Sequence, residues 1–309
     1  MKLDALQRRA ELLDRLRAFF KSRGFLEVQS PSASRETIPE AHIRLMGLAD
    51  GQHWLQASPE MHLKRLLCQG AGPIFEVARI WRDEERGKQH HPEFTLVEWY
   101  RPGDDMHQGM SLLDELLQAT LGSKPAQQTS YREAFLRTLG VDPHTASAEE
   151  LSAVAQQQGI AFAGEAPTER DEWLNLLLSA AIEPTLGQGS PELLYHYPAS
   201  QSALATTATD DRGVLVAERF ELYWRGVELA NGYHELTDPV ELRTRLEEAN
   251  RQRVGQDWPA LPLPEKLLAE MTDPGIPACA GVALGFDRLL MLALGAEHIS
   301  DVVPFSHDW

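Results

Sequence analysis

The amino-acid sequence predicts an α+β fold in which helices flank an antiparallel sheet, and three observations support that class. Residues 75–82 and 94–100 are β-rich runs joined by a charged loop with glycine and proline, which predicts a hairpin. Residues 3–21 carry apolar side chains at helical spacing. Helical patterns dominate residues 103–212, and nothing there resembles an interdomain linker. We therefore expect one domain over residues 1–309, with a helical insertion in the sheet.

Composition narrows the possible function classes. The chain has 309 residues, of which 43% are hydrophobic, and this content is enough for a sizeable core. Acidic residues number 46 against 29 basic ones, which gives a formal net charge of -17. Proteins that grip nucleic acids over a large surface usually carry a basic patch. We expect no extended nucleic-acid surface, although a local cationic pocket for a nucleotide is compatible with this charge.

Neither a membrane anchor nor a cysteine framework is indicated. The longest apolar runs, such as residues 289–294, are far shorter than a membrane span, and residues 1–24 predict a charged amphipathic helix instead of a signal peptide. We expect a cytoplasmic protein that does not contact membranes. Cys68 and Cys279 lack the spacing of a disulfide framework or a zinc site, so both are predicted to be buried hydrophobic residues.

The first elements predict a helix, a turn and a strand, followed by a second helix. Gly24 ends the first helix, and the strand covers residues 25–28. Ser58 is the predicted N-cap of the second helix, and Pro59 suits its first position. Glu60 then lies in the first helical turn. It either complements the helix dipole or presents a carboxylate to a substrate ammonium.

The hairpin over residues 75–101 combines two kinds of chemistry. Side chains alternate along a strand, so Glu98 and Tyr100 share one face with Phe94 and Leu96. A purely structural hairpin would seldom set an acid beside aromatic rings there. The loop between the strands is rich in cationic or protonatable side chains that suit a polyphosphate, namely Arg82, Arg86, Lys88, His90 and His91.

The middle of the chain predicts four helices and then antiparallel strands. The helices are expected at residues 107–121, 131–139, 148–158 and 170–181. Strands are expected at residues 193–197, 214–224 and 227–230. Glu228 and Glu235 flank Asn231 and Gly232 at the end of this region. Two such carboxylates can hold a magnesium ion, which prefers oxygen ligands, or can remain solvated at strand ends.

The last informative stretch, residues 281–295, predicts a glycine-bounded strand that runs into an apolar helix. Arg288 near the start of that helix is expected to pair with an acid or to point into a site. The small residues Gly281, Ala283 and Gly285 would let a flat ring approach the backbone. The stretch lacks a GxGxxG pattern, so a dinucleotide-binding fold is not supported.

Three of these stretches resemble the signature motifs of class II aminoacyl-tRNA synthetases and occur in the same order. Residues 24–31 resemble motif 1, residues 75–101 resemble motif 2 and residues 281–295 resemble motif 3. Segments similar to the lysyl subgroup occur at residues 57–65, 91–95 and 228–236. The resemblance covers nearly the whole chain, and it implies the class II synthetase catalytic core as the fold.

Departures from lysyl-tRNA synthetases favour one subgroup. Those enzymes carry an anticodon-binding barrel before motif 1, whereas the motif 1 helix here begins at residue 3, so we expect no anticodon-binding domain. Ser58 stands where the synthetases usually have alanine, and Ala283 where they have glycine. Both residues resemble the lysyl-synthetase paralogues that modify bacterial elongation factor P. His91 departs from that pattern, because the family usually has asparagine there.

The resemblance implies an ATP-dependent ligase. Such an enzyme activates (R)-β-lysine or lysine as an aminoacyl-adenylate, releases pyrophosphate, and transfers the aminoacyl group to the ε-amine of a lysine on elongation factor P. ATP and Mg²⁺ are the implied cofactors, and motif 1 implies a homodimer. One alternative is an enzyme that charges tRNA or forms a small amide. Another is a non-catalytic regulatory subunit, but such chains tend to lose the motif arginines, and Arg82 and Arg288 are present.

By the same resemblance, Arg82, Glu84 and Arg288 are the expected catalytic residues. Arg82 is expected to hold the α-phosphate, and Phe94 and Arg288 to sandwich the adenine ring. The remaining expected contacts to the nucleotide are Asp83, Glu84, His90, His91, Glu228, Leu229 and Gly285. Glu228 and Glu235 are the expected metal ligands.

The resemblance implies a separate set of residues for the amino acid. Glu60 is expected to bind the backbone-side amine, while Glu98 and Tyr100 bind the distal ammonium. Ser58, Pro59, Glu235 and Ala283 complete the expected substrate site. The methyl group of Ala283 is expected to crowd the pocket beside the adenylate and so to shift the choice of amino acid.

Overall fold

The computed structural model describes residues 3–83, 85–161 and 166–306. Within those ranges the chain divides into two units. The first comprises residues 1–105, 119–121 and 235–309, and the second comprises residues 106–118 and 122–234. Across the described ranges, every helix is too short or too polar to cross a lipid bilayer. Cys68 and Cys279 are both buried and free, as predicted.

The α-helices are α1 (Leu3–Ser22), α2 (Glu60–Cys68), α3 (Met106–Leu121), α4 (Tyr131–Leu139), α5 (Ala148–Gln157), α6 (Arg170–Leu177), α7 (Pro239–Gly255), α8 (Glu265–Glu270) and α9 (Phe286–Leu294). The α-helices that the sequence predicted are present, although α6 ends four residues earlier than predicted and α7 and α8 were not predicted. Local chemistry explains several of these boundaries. Ser130 and Ser147 start α4 and α5 with capping boxes, in which the serine hydroxyl accepts the N–H of a glutamate three residues later. Gly140 ends α4 in the left-handed conformation, with φ of 69°.

The structure contains the following β-strands. They are β1 (Leu26–Glu27), β2 (Ala33–Ser34), β3 (Trp54–Leu55), β4 (Ile74–Trp81), β5 (Glu93–Pro102), β6 (Gln127–Ser130), β7 (Glu192–Pro198), β8 (Thr207–Thr209), β9 (Leu215–Trp224), β10 (Val227–His234) and β11 (Cys279–Gly285). The predicted hairpin is confirmed as β4 and β5, and the predicted glycine-bounded strand as β11.

In the first unit the sheet is built around the hairpin. β5 pairs antiparallel with β4 on one side and with β11 on the other. β1 pairs with β4 in parallel, so the predicted antiparallel sheet is mixed at this edge. The chain passes through α2 between these two strands, and a helical crossover is the usual way to bring two strands into parallel pairing.

The two faces of this sheet differ in chemistry. On one face, Phe20 of α1 stacks on Phe75 with ring centroids 4.6 Å apart, and it lies 5.1 Å from Trp99. All three rings are buried. Because side chains alternate along a strand, this packing leaves Glu98 and Tyr100 on the opposite face. The hydrophobic effect thus fixes which face of the hairpin is available for chemistry.

The second unit contains strands β6 to β10 and a hydrophobic core. β9 pairs antiparallel with β7, β8 and β10, while β6 pairs in parallel with β7. Tyr131, Phe135 and Trp173 from the helices pack with Leu194 and Tyr223 from the strands. The region predicted as a helical insertion therefore also contains β6, β7 and β8. The division of the chain into domains stays a prediction.

Candidate active site

The open face of the hairpin carries a row of acidic and small residues. In register, Glu98 of β5 lies opposite Glu76 of β4 on one side and opposite Ala283 of β11 on the other. Tyr100 lies opposite Gly281 in the next row of the same face. This juxtaposition of acids and an aromatic ring agrees with the alternation predicted from the sequence.

Glu98 lies at the centre of a buried hydrogen-bond network. Only 2% of the surface of this residue is exposed to solvent. The Tyr100 hydroxyl donates to Glu98 Oε1 at 2.7 Å, and the Ser58 hydroxyl donates to Glu98 Oε2 at the same distance. Hydroxyl donors hold this carboxyl group, and no basic side chain is ion-paired with it in the described part of the chain. The arrangement can receive a cation.

Ser58 also determines how Glu60 enters the site, although not as predicted. Helix α2 begins at Glu60, with Pro59 as its cap residue, so the predicted N-cap and first position were each one residue too early. The Ser58 hydroxyl accepts the Glu60 N–H at 3.0 Å while it donates to Glu98. One hydroxyl thereby connects the two predicted amine-binding acids, because a serine can donate and accept at once.

Lys64 is a buried ammonium that the sequence reading missed. Its Nζ lies 2.6 Å from Glu60 Oε1 and 2.6 Å from Glu235 Oε2, and the residue is 1% exposed. Burial alone would lower the pKa of this amine, but the carboxylates of Glu235 and Glu60 raise it above its usual value. Lys64 is therefore charged. The signal in the sequence was the Glu-Lys spacing of four residues in α2, which places both side chains on one helix face.

Gly281 makes room for this cluster. A Cβ atom built there would lie 2.2 Å from Glu235 Oε1 and 2.3 Å from Tyr100 Cε1, far inside contact distance. A side chain at residue 281 would displace both groups. The glycine is thus required by the close approach of the two side chains.

The charge balance of the cluster shifts the pKa of Glu98. Burial and the nearby charge of Glu60 raise the pKa of Glu98 to about 8, and the hydrogen bonds from Tyr100 and Ser58 offset only part of that rise. Near neutral pH, Glu98 of the ligand-free protein accordingly keeps its proton. An ammonium ion beside Glu98 would favour the ionised form, so its binding would release a proton.

We expect the affinity for an amine substrate to increase with pH. Because the folded-state pKa of Glu98 is about 8, the KM for lysine should fall by about tenfold per pH unit below that value and then level off. The raised pKa also affects stability. Between the pKa of Glu98 in the unfolded chain and pH 8, the folded chain binds one more proton than the unfolded chain. The stabilisation from this group therefore declines as the pH rises through that range. Activation kinetics between pH 6.5 and 9 measure the first effect. Glu98→Gln should bind lysine weakly with a flat pH profile, and a persistent slope would assign the titration to another group.

Near the loop that joins β4 and β5, two arginines contact the rings of Phe94 and His90. The Arg82 guanidinium lies 5.1 Å above the Phe94 ring, and its Nε and Nη2 atoms donate to the main-chain carbonyl of Ala57 at 3.3 Å. Arg288 donates to His90 Nε2 at 2.7 Å and to the Gln89 carbonyl at 3.2 Å. Arg82 thus already covers one face of Phe94. Burial and the charge of Arg288 lower the pKa of His90, which leaves a neutral ring to accept that hydrogen bond.

His91 and Asp83, two expected nucleotide contacts, are both hydrogen-bonded within the protein. The His91 ring is buried, with Nδ1 2.6 Å from the Glu93 carbonyl and Nε2 3.4 Å from the Ser306 carbonyl. The Asp83 main-chain N–H donates to the Arg44 carbonyl at 2.8 Å. Glu84, an expected catalytic residue, lies outside the described residues.

The helix that carries Arg288 is held by an ion pair that the sequence did not indicate. Arg9 of α1 lies 2.5 Å from Asp287 Oδ1 and donates to the Thr95 hydroxyl at 2.5 Å. Asp287 Oδ2 accepts the Thr95 main-chain N–H at 2.6 Å. Gly285 caps the same helix. These contacts fix the start of α9 against β5 and hence the base of Arg288.

The expected metal ligands fit only in part. Glu228 lies on β10 opposite Tyr223, beside a bulge between Glu228 and Ala230, and the adjacent Leu229 is buried. Over the residues that the structure describes, no three His, Cys, Asp or Glu side chains are grouped to hold a metal ion. A cation, the Lys64 ammonium, already stands beside Glu235. Glu235 therefore fits an amine site better than a metal site in this arrangement.

A solvent-open cavity adjoins the acid cluster. It has a volume of about 40 Å³, and Gln56, Ala57, Ser58, Glu60 and Met61 are among its lining residues. Ser58 and Glu60 belong to both the cavity wall and the cluster. An elongated aliphatic amine could reach the acids from this side.

Similar proteins indicate the family of this chain. The sequence model of the tRNA synthetases class II (D, K and N) matches residues 2–308. The chain is similar to the elongation factor P--(R)-beta-lysine ligase of Salmonella typhi, with 44% identity over 98% of this chain and 95% of that protein. It is also similar to the protein of the same name from Edwardsiella ictaluri (strain 93-146), with 46% identity over the same shares.

Proposed function

This chain belongs to the family of class II tRNA synthetases (D, K and N), and we propose on that basis that it is an ATP-dependent ligase acting on elongation factor P. It would activate (R)-β-lysine, or lysine, and transfer it to a lysine ε-amine of that factor. The names of two relatives that match nearly the whole chain support this acceptor. The observation that carries the amine specificity is the buried Glu98, hydrogen-bonded by Ser58 and Tyr100 and ready for a cation.

Recognition of the amino acid would use two acidic positions. Glu60, at the start of α2, binds the amine nearer the carboxylate, and Glu98 with Tyr100 binds the distal ammonium. Glu235 lies beside Lys64 and completes the acidic surroundings. Burial of these acids supports the assignment, because charges attract each other more strongly away from water. An amino acid with an uncharged side chain would leave Glu98 protonated and gain nothing there.

Membership of the family implies the use of ATP. In the first step a carboxylate oxygen of the amino acid bonds to the α-phosphorus, and the bond to pyrophosphate breaks. In the second step the acceptor amine attacks the carbonyl carbon, an amide forms, AMP leaves and the amine loses a proton. Arg82 would donate to the α-phosphate oxygens as their charge builds. To do so it must leave the Ala57 carbonyl, and an adenine ring could then occupy the face of Phe94.

The other nucleotide contacts remain part of the proposal. Arg288 and His90, which hydrogen-bond each other, lie on the loop side where phosphates and adenine would bind. Mg²⁺ bound with the triphosphate would neutralise its charge, with Glu228 as the carboxylate ligand whose oxygens suit it. Asp83, His91, Leu229 and Gly285 would line the nucleotide.

We further propose a homodimer formed through the α1 and β1 region. Leu3, Leu6 and Leu26 are exposed large apolar residues in that region, with Leu3 at 72% and Leu26 at 64%. A second copy of the chain would remove them from water. The protein would act in the cytoplasm, where the translation factor is found.

Ala283 is proposed to influence which lysine isomer is activated. It lies opposite Glu98 in register and packs beside Ala78 and Leu96. Its methyl group occupies space on the site face that glycine would leave open. An unchanged preference between α-lysine and β-lysine in Ala283→Gly would contradict this part of the proposal.

A labelling experiment tests the acceptor. The protein is incubated with ATP, labelled (R)-β-lysine, and either elongation factor P or total tRNA. We expect label on the protein and none on the RNA, because the net charge of -17 gives the chain little means of holding a tRNA body. Elongation factor P with its lysine amines methylated is the matched control and should stay unlabelled. Label on RNA alone would favour a tRNA-charging enzyme, and absence of ATP-pyrophosphate exchange with any lysine isomer would favour a non-catalytic chain.

A further inference from the structure

Glu76 is a further carboxylate on the face of the sheet that carries Glu98 and Tyr100. Glu76 of β4 lies directly opposite Glu98 in the β4–β5 pairing. Side chains opposite each other in an antiparallel pair start with Cβ atoms roughly 4.5–5.5 Å apart. Two acids are thus cross-strand neighbours on one buried face, an arrangement that is unfavourable unless a cation or a proton is shared nearby.

The surroundings of Glu76 leave one of its oxygens unsatisfied. The residue is 4% exposed. Oε1 accepts the Ser30 main-chain N–H at 3.0 Å, whereas Oε2 has no hydrogen-bond partner among the described residues. No ion pair to Glu76 is present in the described part of the chain. Burial raises the pKa of this carboxyl group, and hydrogen bonds from the Ser30 main chain and side chain oppose that rise.

An unsatisfied buried carboxyl oxygen needs an explanation, because most buried polar atoms have partners and a missing one costs about 1–3 kcal/mol. The other acids of the site differ in this respect. Glu98 accepts two hydroxyl groups, and Lys64 lies at 2.6 Å from both Glu60 and Glu235. Among the described residues, Glu76 receives its hydrogen bonds from Ser30, and its Oε2 has no partner. Its second oxygen is therefore available to a donor from the substrate.

Glu76 is also connected to the cavity wall. The Ser30 hydroxyl, next to the N–H that Glu76 accepts, donates to Gln56 Oε1 at 3.2 Å. Gln56 lines the cavity beside Ser58 and Glu60. These contacts hold Glu76 at the side of the site from which an amine could approach.

We propose that Glu76 is a further substrate-binding acid, whose Oε2 accepts an N–H of the distal ammonium that Glu98 also binds. This inference rests on the proposed function, since it requires an amine substrate. A primary ammonium has three N–H donors, and one carboxylate seldom satisfies them all. Glu76 and Glu98 would share the ammonium from neighbouring strands. The ligand class is an aliphatic chain that ends in a primary ammonium.

The test is Glu76→Gln, which keeps the side-chain size and an oxygen for the Ser30 N–H but cannot carry negative charge. We expect the KM for lysine or β-lysine to rise about tenfold, the effect of one hydrogen bond to a charged group. The KM for ATP and kcat at saturating amino acid should stay within about twofold of the unaltered protein. A purely structural role would instead lower the melting temperature and change both KM values together, which would overturn the proposal.

A matched control is Glu27→Gln. Glu27 pairs in register with Phe75, the neighbour of Glu76 that packs on the opposite face, and it is half-buried and ion-paired with Arg17 at 2.8 Å. Its loss should leave the KM for the amine unchanged. If Glu76→Gln does not fold, Glu76→Asp is the variant to test. The shorter side chain moves the carboxylate oxygen away from the substrate, so the KM for the amine should also rise. An unchanged KM would overturn the inference. Absence of lysine-dependent pyrophosphate exchange in the unaltered protein would refute the proposed function itself.

Discussion

Replacing Lys64 by methionine is expected to abolish lysine activation and to lower the free energy of unfolding by about 3–5 kcal/mol. The Lys64 ammonium lies 2.6 Å from carboxylate oxygens of both Glu60 and Glu235, and all three residues are buried. Without it, two like charges would face each other away from water. Glu60 would then also lose its fixed position in the amine site. Denaturant unfolding and ATP-pyrophosphate exchange measure the two effects.

The stability defect of Lys64→Met should be partly relieved at lower pH. Protonating the two acids at lower pH removes the repulsion between them. Lys266→Met is the matched control, because Lys266 is an exposed lysine whose ion pair with Glu36 is long, at 3.9 Å. Its effect on stability should stay within about 0.5 kcal/mol. A Lys64→Met protein with unaltered stability and activity would show that the buried ammonium has no such role.

Replacing Arg82 by lysine should reduce kcat/KM for activation by about a hundredfold to a thousandfold, with little change in stability. The guanidinium can donate two parallel hydrogen bonds to a phosphate, whereas an ammonium acts as a point charge. Among the described residues of the ligand-free protein, Arg82 makes long hydrogen bonds, at 3.3 Å to the Ala57 carbonyl and 3.4 Å to Glu85. Its main energetic contribution should therefore come when the nucleotide is bound.

Pyrophosphate exchange under saturating lysine measures this loss, and thermal unfolding checks the fold. Arg79→Lys is the appropriate control, since Arg79 lies on β4, three residues before Arg82, but is exposed and only loosely paired with Glu93 at 3.8 Å. That substitution should change kcat/KM by less than about twofold. Equal losses in the two variants would mean that general charge near the hairpin, and not the Arg82 guanidinium, promotes activation.

The local pattern was sufficient to predict the scaffold. β-rich composition between turn residues located β4 and β5, and helical patterns separated by glycine, proline and serine clusters located α4 and α5. It missed the parallel pairing of β1 with β4, because pairing partners of separate strands are not encoded in either strand alone. It also placed the start of α2 one residue early. The Ser58 hydroxyl serves Glu98 as well as Glu60, and a contact across the fold decided the geometry.

For the site, the sequence determined which residues could carry the chemistry, since alternation places Glu98 and Tyr100 on one face and the motif order indicates the class II family. Tertiary structure decided how those residues are paired. Lys64 joins Glu60 to Glu235 and Arg9 holds Asp287, in both cases between segments far apart in the chain. The register of the hairpin sets Glu76 opposite Glu98. Burial then sets the electrostatics, because a carboxyl group's pKa depends on the water and charges around it and not on its neighbours in sequence. The raised pKa of Glu98 is thus a property of the folded protein alone.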